Sequence, residues 1–415
     1  MKLVEMILNV MRNVSKPQKI FFNKLIKTII ATFGKINFRN LARHSGLSER
    51  TFSRWFQKAF DFTEFNSKMI DQVVTKESRI MAAFDSTFAE KAGKKTWGIE
   101  YYWNGSASRT EKGLEHNLLS LVDVTTNVGY PLIVEQTPPK EEIKELLGKK
   151  EIEKSDGPTR VDFYLSIVVK AQSYIKKYTN LLAVDGFFTK KKFIDGVVDS
   201  GLHIVGKLRC DANLKVLYDG PQKKGRGRPK IFAGKCKIED LNGFELVEAL
   251  PDNEKLYVGT FYHASLERKI KVAAVTCVKA KGIGIALFFS TDLSLSAQDI
   301  LLFYRSRFQI EFIFRDAKQF TGFDNCQARN KKALHYHSNA SMAALNAIKV
   351  QEYLELKKLN EERSVFSMAS WKARFHNESL IQTFFSMSGL DLSLIKLNPA
   401  YQMILNFGTI SFRGM

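Results

Sequence analysis

The 415-residue sequence has little cysteine, and that scarcity excludes two architectures at once. Its four cysteines are Cys210, Cys236, Cys277 and Cys326. None forms a CxxC pair, so neither a zinc site nor a disulfide framework is expected, and a reducing cytoplasm suits the chain. No apolar run approaches the ~20 residues of a membrane-spanning helix. The stretch MKLVEMILNV carries Glu5 among its apolar residues, which argues against a signal peptide. No amphipathic basic helix or lipidation motif points to a membrane surface. Repeats and long low-complexity tracts are absent too. Acidic residues are also scarce, since 43 Asp+Glu against 63 Lys+Arg leave a net charge of +20. That excess calls for a polyanionic partner, most simply nucleic acid. With 45% hydrophobic residues, the chain is globular and long enough for two or three domains.

Residues 1–75 read as an all-α segment in which thirteen Lys/Arg stand against five Asp/Glu. Within it, NLARHSGLSERTFSRWF (Asn40 to Phe56) has the spacing of a helix-turn-helix, set at about 37–60. Ala42 is small where helices cross, Gly46 suits a turn with positive φ, and Ser48 suits an N-cap. Phe52 and Trp55 face inward, leaving Arg50, Ser53 and Arg54 outward for a DNA major groove. An ordinary helical hairpin would share this pattern. Residues 76–200 and 291–360 alternate strand-like and helix-like runs, as in a mixed α/β domain. Residues 201–290 form a β-rich insertion holding KKGRGRPK, in which Lys223, Lys224, Arg226, Arg228 and Lys230 suit phosphate contact or minor-groove insertion. A solvated hairpin tip would look the same. Residues 361–415 read as a shorter helical tail.

Two apolar runs, AFDSTF and AVDGFF, each end in one aspartate, Asp85 and Asp185, expected just past strand ends. Further on, YRSRFQIEFIFRDAK sets Tyr304, Arg307, Glu311 and Lys318 at offsets of 0, 3, 7 and 14. On one α-helix these fall within roughly 60° of arc. Phe303 and Phe314 wall this stripe on one side and Leu301, Phe308 and Phe312 on the other, with Arg315 at its edge. A solvated face is the plain alternative, but aromatic walls suit a cleft that binds something charged. Three carboxylates drawn together repel unless they hold cations, and oxygen-only ligation selects Mg²⁺ or Mn²⁺.

Tyr304-x2-Arg307-x3-Glu311-x6-Lys318 resembles the Y-R-E-K signature of bacterial insertion-sequence transposases of the DDE class. TGFDNCQARNKKALHYHSNASMAALN is similar to the region that follows it there, and Asp85 and Asp185 match the two aspartate motifs. The resemblance spans roughly residues 80–350. It implies an RNase H-like mixed sheet flanked by helices and interrupted by the β-rich insertion. It also implies a nucleoid-associated cytoplasmic enzyme that cleaves and joins DNA strands. Asp85, Asp185 and Glu311 would then hold two Mg²⁺ ions, for which Mn²⁺ substitutes. Tyr304, Arg307 and Lys318 would contact DNA near the scissile phosphate. A homodimer would engage double-stranded DNA, both the terminal inverted repeats and the target. A nuclease or resolvase without strand transfer, or an inactive DNA-binding regulator, are the alternatives. Relatives that cut through a DNA hairpin stack a flipped base on an insertion tryptophan. Here Trp55, Trp97, Trp103 and Trp371 all lie outside the insertion, leaving Tyr257, Phe261 or Tyr262 as substitutes.

Overall fold

A computed structural model describes residues 2–147, 158–222, 228–279, 282–361 and 366–410. The chain begins with helices α1 (Lys2–Val10), α2 (Lys16–Ala31), α3 (Phe38–Ser45), α4 (Glu49–Trp55) and α5 (Phe62–Ile70). Asn37 caps α3 by accepting from the Asn40 amide, and Gly46 closes it at φ +69, where a Cβ would be strained. Ser48 caps α4 by accepting from Thr51. Phe52 is fully buried, and Trp55 lies flat on Phe21 with ring centroids 5.0 Å apart. These helices do not stand apart as a domain. Residues from Leu3 on α1 to Trp371 share one apolar core. Asn66 on α5 donates to the Leu132 carbonyl, and Asn346 donates to Asn66, each at 3.0 Å.

The sheet follows, with β1 (Ile80–Glu90), β2 (Glu100–Asn104), β3 (Arg109–Asp123) and β4 (Val128–Gln136). After α6 (Lys140–Leu147) and α7 (Arg160–Lys176) come β5 (Leu181–Val184), α8 (Lys191–Asp199) and β6 (His203–Leu208). β1 runs antiparallel to β3, and β3 antiparallel to both β2 and β4. β5 runs parallel to β1, and β6 parallel to β5. The resulting order β4-β3-β1-β5-β6 carries α7 and α8 on one face, where Phe84 meets Tyr164 and Phe193.

The β-rich part adds β7 (Leu214–Leu217), β8 (Phe232–Lys235), β9 (Glu245–Ala249), β10 (Lys255–His263), β11 (Arg268–Lys279) and β12 (Gly282–Ser290). The expected insertion begins at 201, yet β6 belongs to the central sheet because it pairs in parallel with β5. β12 pairs antiparallel with β6, so the added strands prolong one twelve-stranded sheet. Helices α9 (Ala297–Ser306), α10 (Gln309–Phe320) and α11 (Lys331–Leu359) cover the second face, and α12 (Met368–Ser388) and α13 (Pro399–Leu405) close the chain. Among the described residues, no helix is long and apolar enough to cross a membrane.

Candidate active site

Asp85 does not lie past a strand end. It is the sixth residue of β1, which stays paired with β3 through Glu90↔Gly113. Tyr304 to Lys318 is not one helix either. α9 stops at Ser306 and α10 starts at Gln309, with short-range bonds from Phe308 to the Arg305 carbonyl and from Ile310 to that of Arg307. Arg307 (φ −51, ψ −31) and Phe308 (φ −57, ψ −18) keep right-handed backbone angles, so the polar face carries across the break.

Strand register sets the two aspartates. Phe84 pairs with Val184 in parallel, so the next residues, Asp85 on β1 and Asp185 just past the end of β5, stand side by side where the strands run about 4.8 Å apart. The Ser86 amide donates to Asp85 at 2.8 Å. Asp185 opens a short 3₁₀ turn (Gly186–Phe188), and the Tyr304 hydroxyl donates to it at 3.4 Å. Arg307 is only 9% exposed and bridges two acids. Its Nη1 lies 2.9 Å from Asp85 Oδ2 and its Nη2 3.5 Å from Glu311 Oε1. Glu311 itself keeps 46% of its side chain open to solvent.

Electrostatics follow from this packing. Burial pushes the Asp85 carboxyl up to about 6. Arg307 and the Ser86 amide pull it down, while Asp185 and Glu311 push it further up. Burial alone would lower the Arg307 guanidinium, but Asp85, Tyr304, Asp185 and Glu311 outweigh it and raise it. Burial likewise raises the Tyr304 hydroxyl.

The other predicted contacts separate from this cluster. Lys318 is tied to β1, donating to Thr87 Oγ1 at 3.0 Å and to the Phe88 carbonyl at 2.8 Å, with Asp324 at 3.8 Å. Arg315 turns aside to Asp316 at 2.9 Å and lies over the Phe312 ring. Phe303, Phe314 and Leu301 are buried walls, but Phe308 is 49% exposed, so one side of the cleft is open. Arg50, Ser53 and Arg54 are exposed on α4, remote in sequence from the acids. Arg228 and Lys230 are exposed, with the Lys230 ammonium 4.5 Å from the Tyr218 ring centroid, whereas Lys223, Lys224 and Arg226 lie outside the described residues. Phe261 cannot stack a base, because it is fully buried against Phe244. Tyr262 packs on Phe232, and Tyr257 is half-buried.

Sequence reading missed Phe187, an exposed ring two residues past Asp185 with the Lys190 ammonium 3.8 Å from its centroid. It also missed His116, paired with Thr87 and held well below the usual imidazole range, to about 3, first by burial and then by Lys318. An aromatic after an aspartate was the only available signal for the first, and a lone strand histidine gave none for the second.

Among the described residues, no three His, Cys, Asp or Glu side chains already stand as a metal cage. The guanidinium of Arg307 lies between Asp85 and Glu311 instead. The donor chemistry nonetheless fits a hard divalent cation, because all three acids offer oxygen alone and burial disfavours free charge on Asp85. Residues 169–347 match the transposase DDE domain family. The match supports a DDE transposase and implies DNA as a partner. It takes in Asp185, Tyr304, Arg307, Glu311 and Lys318, while Asp85 lies ahead of it. No curated protein matches the chain.

One consequence is open to titration. Asp85 must lose its proton to serve as a ligand, so Mn²⁺ binding to the free protein should strengthen as pH rises through about 6. Below that, affinity should fall by up to ~10-fold per unit, one proton being displaced. Paramagnetic titration of Mn²⁺ between pH 5 and 8 measures this, and a flat profile would remove Asp85 from the ligand set.

Proposed function

We propose that this chain is an RNase H-like transposase that binds the ends of an insertion sequence, cleaves them and joins them to target DNA. The observation that carries the reading is the side-by-side placement of Asp85 and Asp185, with Arg307 reaching from Asp85 to Glu311. The strand order and directions support it, since three antiparallel strands followed by two parallel ones suit an RNase H-like sheet. In this reading Asp85, Asp185 and Glu311 hold Mg²⁺ or Mn²⁺, in a two-ion site. When bound, such ions activate a water or 3′-hydroxyl and stabilise the leaving oxygen.

The chain's own groups prepare that chemistry. Tyr304 orients Asp185 through its hydroxyl. Arg307 positions Asp85 and Glu311 and offsets their repulsion, a role closer to the acids than the phosphate contact expected from the sequence. Lys318 spends two donors on β1 and presents its charge beside the strand that carries Asp85. Asp85 is largely ionised at neutral pH. Arg50, Ser53 and Arg54 read the major groove of the end DNA through a helix-turn-helix, and Arg228 and Lys230 lie on phosphates. Two chains act together on a pair of ends.

The test uses duplex DNA flanking the reading frame, with Mg²⁺. Nicks that leave a 3′-hydroxyl at the end of an inverted repeat, followed by joined products, are expected. Nicks with no joined product would reduce the protein to a nuclease, and no nick at all would overturn the reading. A second expected result concerns recognition. Arg50→Ala combined with Arg54→Ala should weaken binding to the cognate end by about 2–4 kcal/mol and leave random duplex nearly unchanged. Equal losses on both DNAs in a gel shift would mean phosphate contact alone.

A further inference from the structure

The face that carries Asp85 runs on beyond the helices that cover it. Register places Asp85 opposite Leu118, Thr87 opposite His116 and Ala89 opposite Leu114. The same face of β3 continues to Lys112 and Thr110, which pair with Tyr101 and Trp103 on β2. All these residues therefore share one face of the sheet. Cover ends at Leu114, which packs with Ala89 and with Leu334 in the first turn of α11. Past that point Tyr101 is 68% exposed and Trp103 62% exposed. Trp103 is the tryptophan most open to solvent among the described residues, since Trp55 is stacked, Trp97 donates to Glu142, and Trp371 is buried.

The overhang is firmly held from behind. On the opposite face Tyr102 is buried, its hydroxyl donates to the Gly98 carbonyl, and the Arg160 guanidinium lies 4.4 Å from its ring centroid. Two large rings on so rigid an edge are an unusual apolar exposure that marks an interaction site. Charge selects the partner. Lys112 is exposed beside Tyr101, and Lys94 and Lys95 are exposed in the turn leading to β2. The face exposed past Leu114 consists of Tyr101, Trp103, Thr110 and Lys112, with no acid among them. Geometry narrows it further. Residues i and i+2 of a strand stand about 6.6–6.8 Å apart, roughly twice the 3.4 Å spacing of stacked bases. Six to eight strand residues separate Asp85 from this pair, or about 20–27 Å, a span of roughly six to eight nucleotides.

We propose that the β2–β3 overhang takes an unpaired DNA base between Tyr101 and Trp103, with Lys112 on the adjoining phosphate, six to eight nucleotides from the phosphate at Asp85. This rests on the transposase reading above and adds a contact to it. No bond is made or broken here. The rings hold a strand in line with the acids.

The probes are single-stranded dT12 and a 12-base-pair duplex, followed by tryptophan fluorescence and by anisotropy of labelled DNA. dT12 should quench the wild-type protein, and Trp103→Phe should abolish most of the quenching while binding dT12 within ~3-fold, because a ring remains. Trp103→Ala and Tyr101→Ala should each weaken dT12 binding by roughly 10-fold, the loss of one stacking partner, and weaken the duplex far less. Both side chains are exposed, so unchanged thermal melts should accompany these losses. Wild-type dT12 affinity in both alanine variants overturns the proposal, as does a tryptophan signal that follows protein concentration without DNA. If such variants bind normally while the wild type still nicks end DNA, only the stacking contact falls. If the wild type neither binds nor nicks, the transposase reading falls with it.

Discussion

Glu311→Gln should stop strand cleavage by at least ~10³-fold, about 4 kcal/mol of transition-state stabilisation, while the protein still folds and binds end DNA. Glu311 is the cleanest of the three acids to remove. Nearly half its side chain is open, and its only described ion pair is the long one to Arg307. Asp85→Asn should be as inactive, but it is a less clean test. The Arg307 guanidinium is buried and pairs with Asp85 at 2.9 Å, so neutralising that acid leaves a buried charge with poorer compensation. Such losses commonly cost about 3–5 kcal/mol. Neighbouring carboxylates soften the cost here, since Asp185 and Glu311 both disfavour charge on Asp85. Single-turnover nicking of a pre-bound end, beside a gel shift, separates lost chemistry from lost binding. Wild-type nicking by Glu311→Gln would remove α10 from the reaction.

Lys372→Met should cost about 2 kcal/mol of stability at pH 7, three carbonyls each losing a charge-assisted bond worth roughly 1.5–2 kcal/mol, less about 3 kcal/mol from relief of a buried charge. The Lys372 ammonium is buried where three elements meet. It donates to Thr32 at 2.5 Å, to Phe320 at 2.8 Å and to Ile29 at 3.2 Å. Those carbonyls belong to the last turn of α2, the residue after it, and the end of α10, where helix oxygens lack partners. α10 carries Glu311 and Lys318, so this one amine from α12 ties the acid-bearing helix to the N-terminal helices. Burial lowers Lys372 to about 8. The charged form is the disfavoured one in the fold, so folding releases a proton between pH 8 and about 10.4. Wild-type stability from this group therefore rises with pH across that window and is lost as pH falls through 8. An amine without its charge still donates. The gap between wild type and Lys372→Met should accordingly widen at pH 9.5. Urea unfolding at both pH values measures it, and a gap that narrows would mean the ammonium is stabilised rather than strained.

Local features were legible in the sequence because local chemistry makes them. Gly46 and Ser48 announce a turn and a cap through φ and a hydroxyl, and Phe52 announces a buried face through helical spacing. Strand-like runs around Asp85 and Asp185 were legible as apolar stretches carrying one acid each. What decides the site is non-local. That Phe84 pairs with Val184, and so sets two aspartates abreast, is a matter of register between strands a hundred residues apart. Arg307 looked like a phosphate ligand because its offset from Glu311 put both on one face, and only the packed structure turns it toward Asp85. β8 and β9 are short and largely exposed, so no buried face marks them in the sequence. Phe261 looked available because strand alternation does not say which face is covered, and Phe244 covers it. The joining of residues 1–75 to the body runs through a shared apolar core and through polar contacts such as Asn346 to Asn66, which no hydrophobic pattern records.

The central claim is that Asp85, Asp185 and Glu311 together hold divalent ions, and it can be tested without any DNA. Fe²⁺ bound in place of Mg²⁺, with ascorbate and peroxide, cuts a protein backbone close to the ion. Fragment mapping should find cuts near residues 85, 185 and 311 together, suppressed by excess Mg²⁺ and weakened in Glu311→Gln. Cuts elsewhere, or cuts at these places that Mg²⁺ does not suppress, would contradict the site.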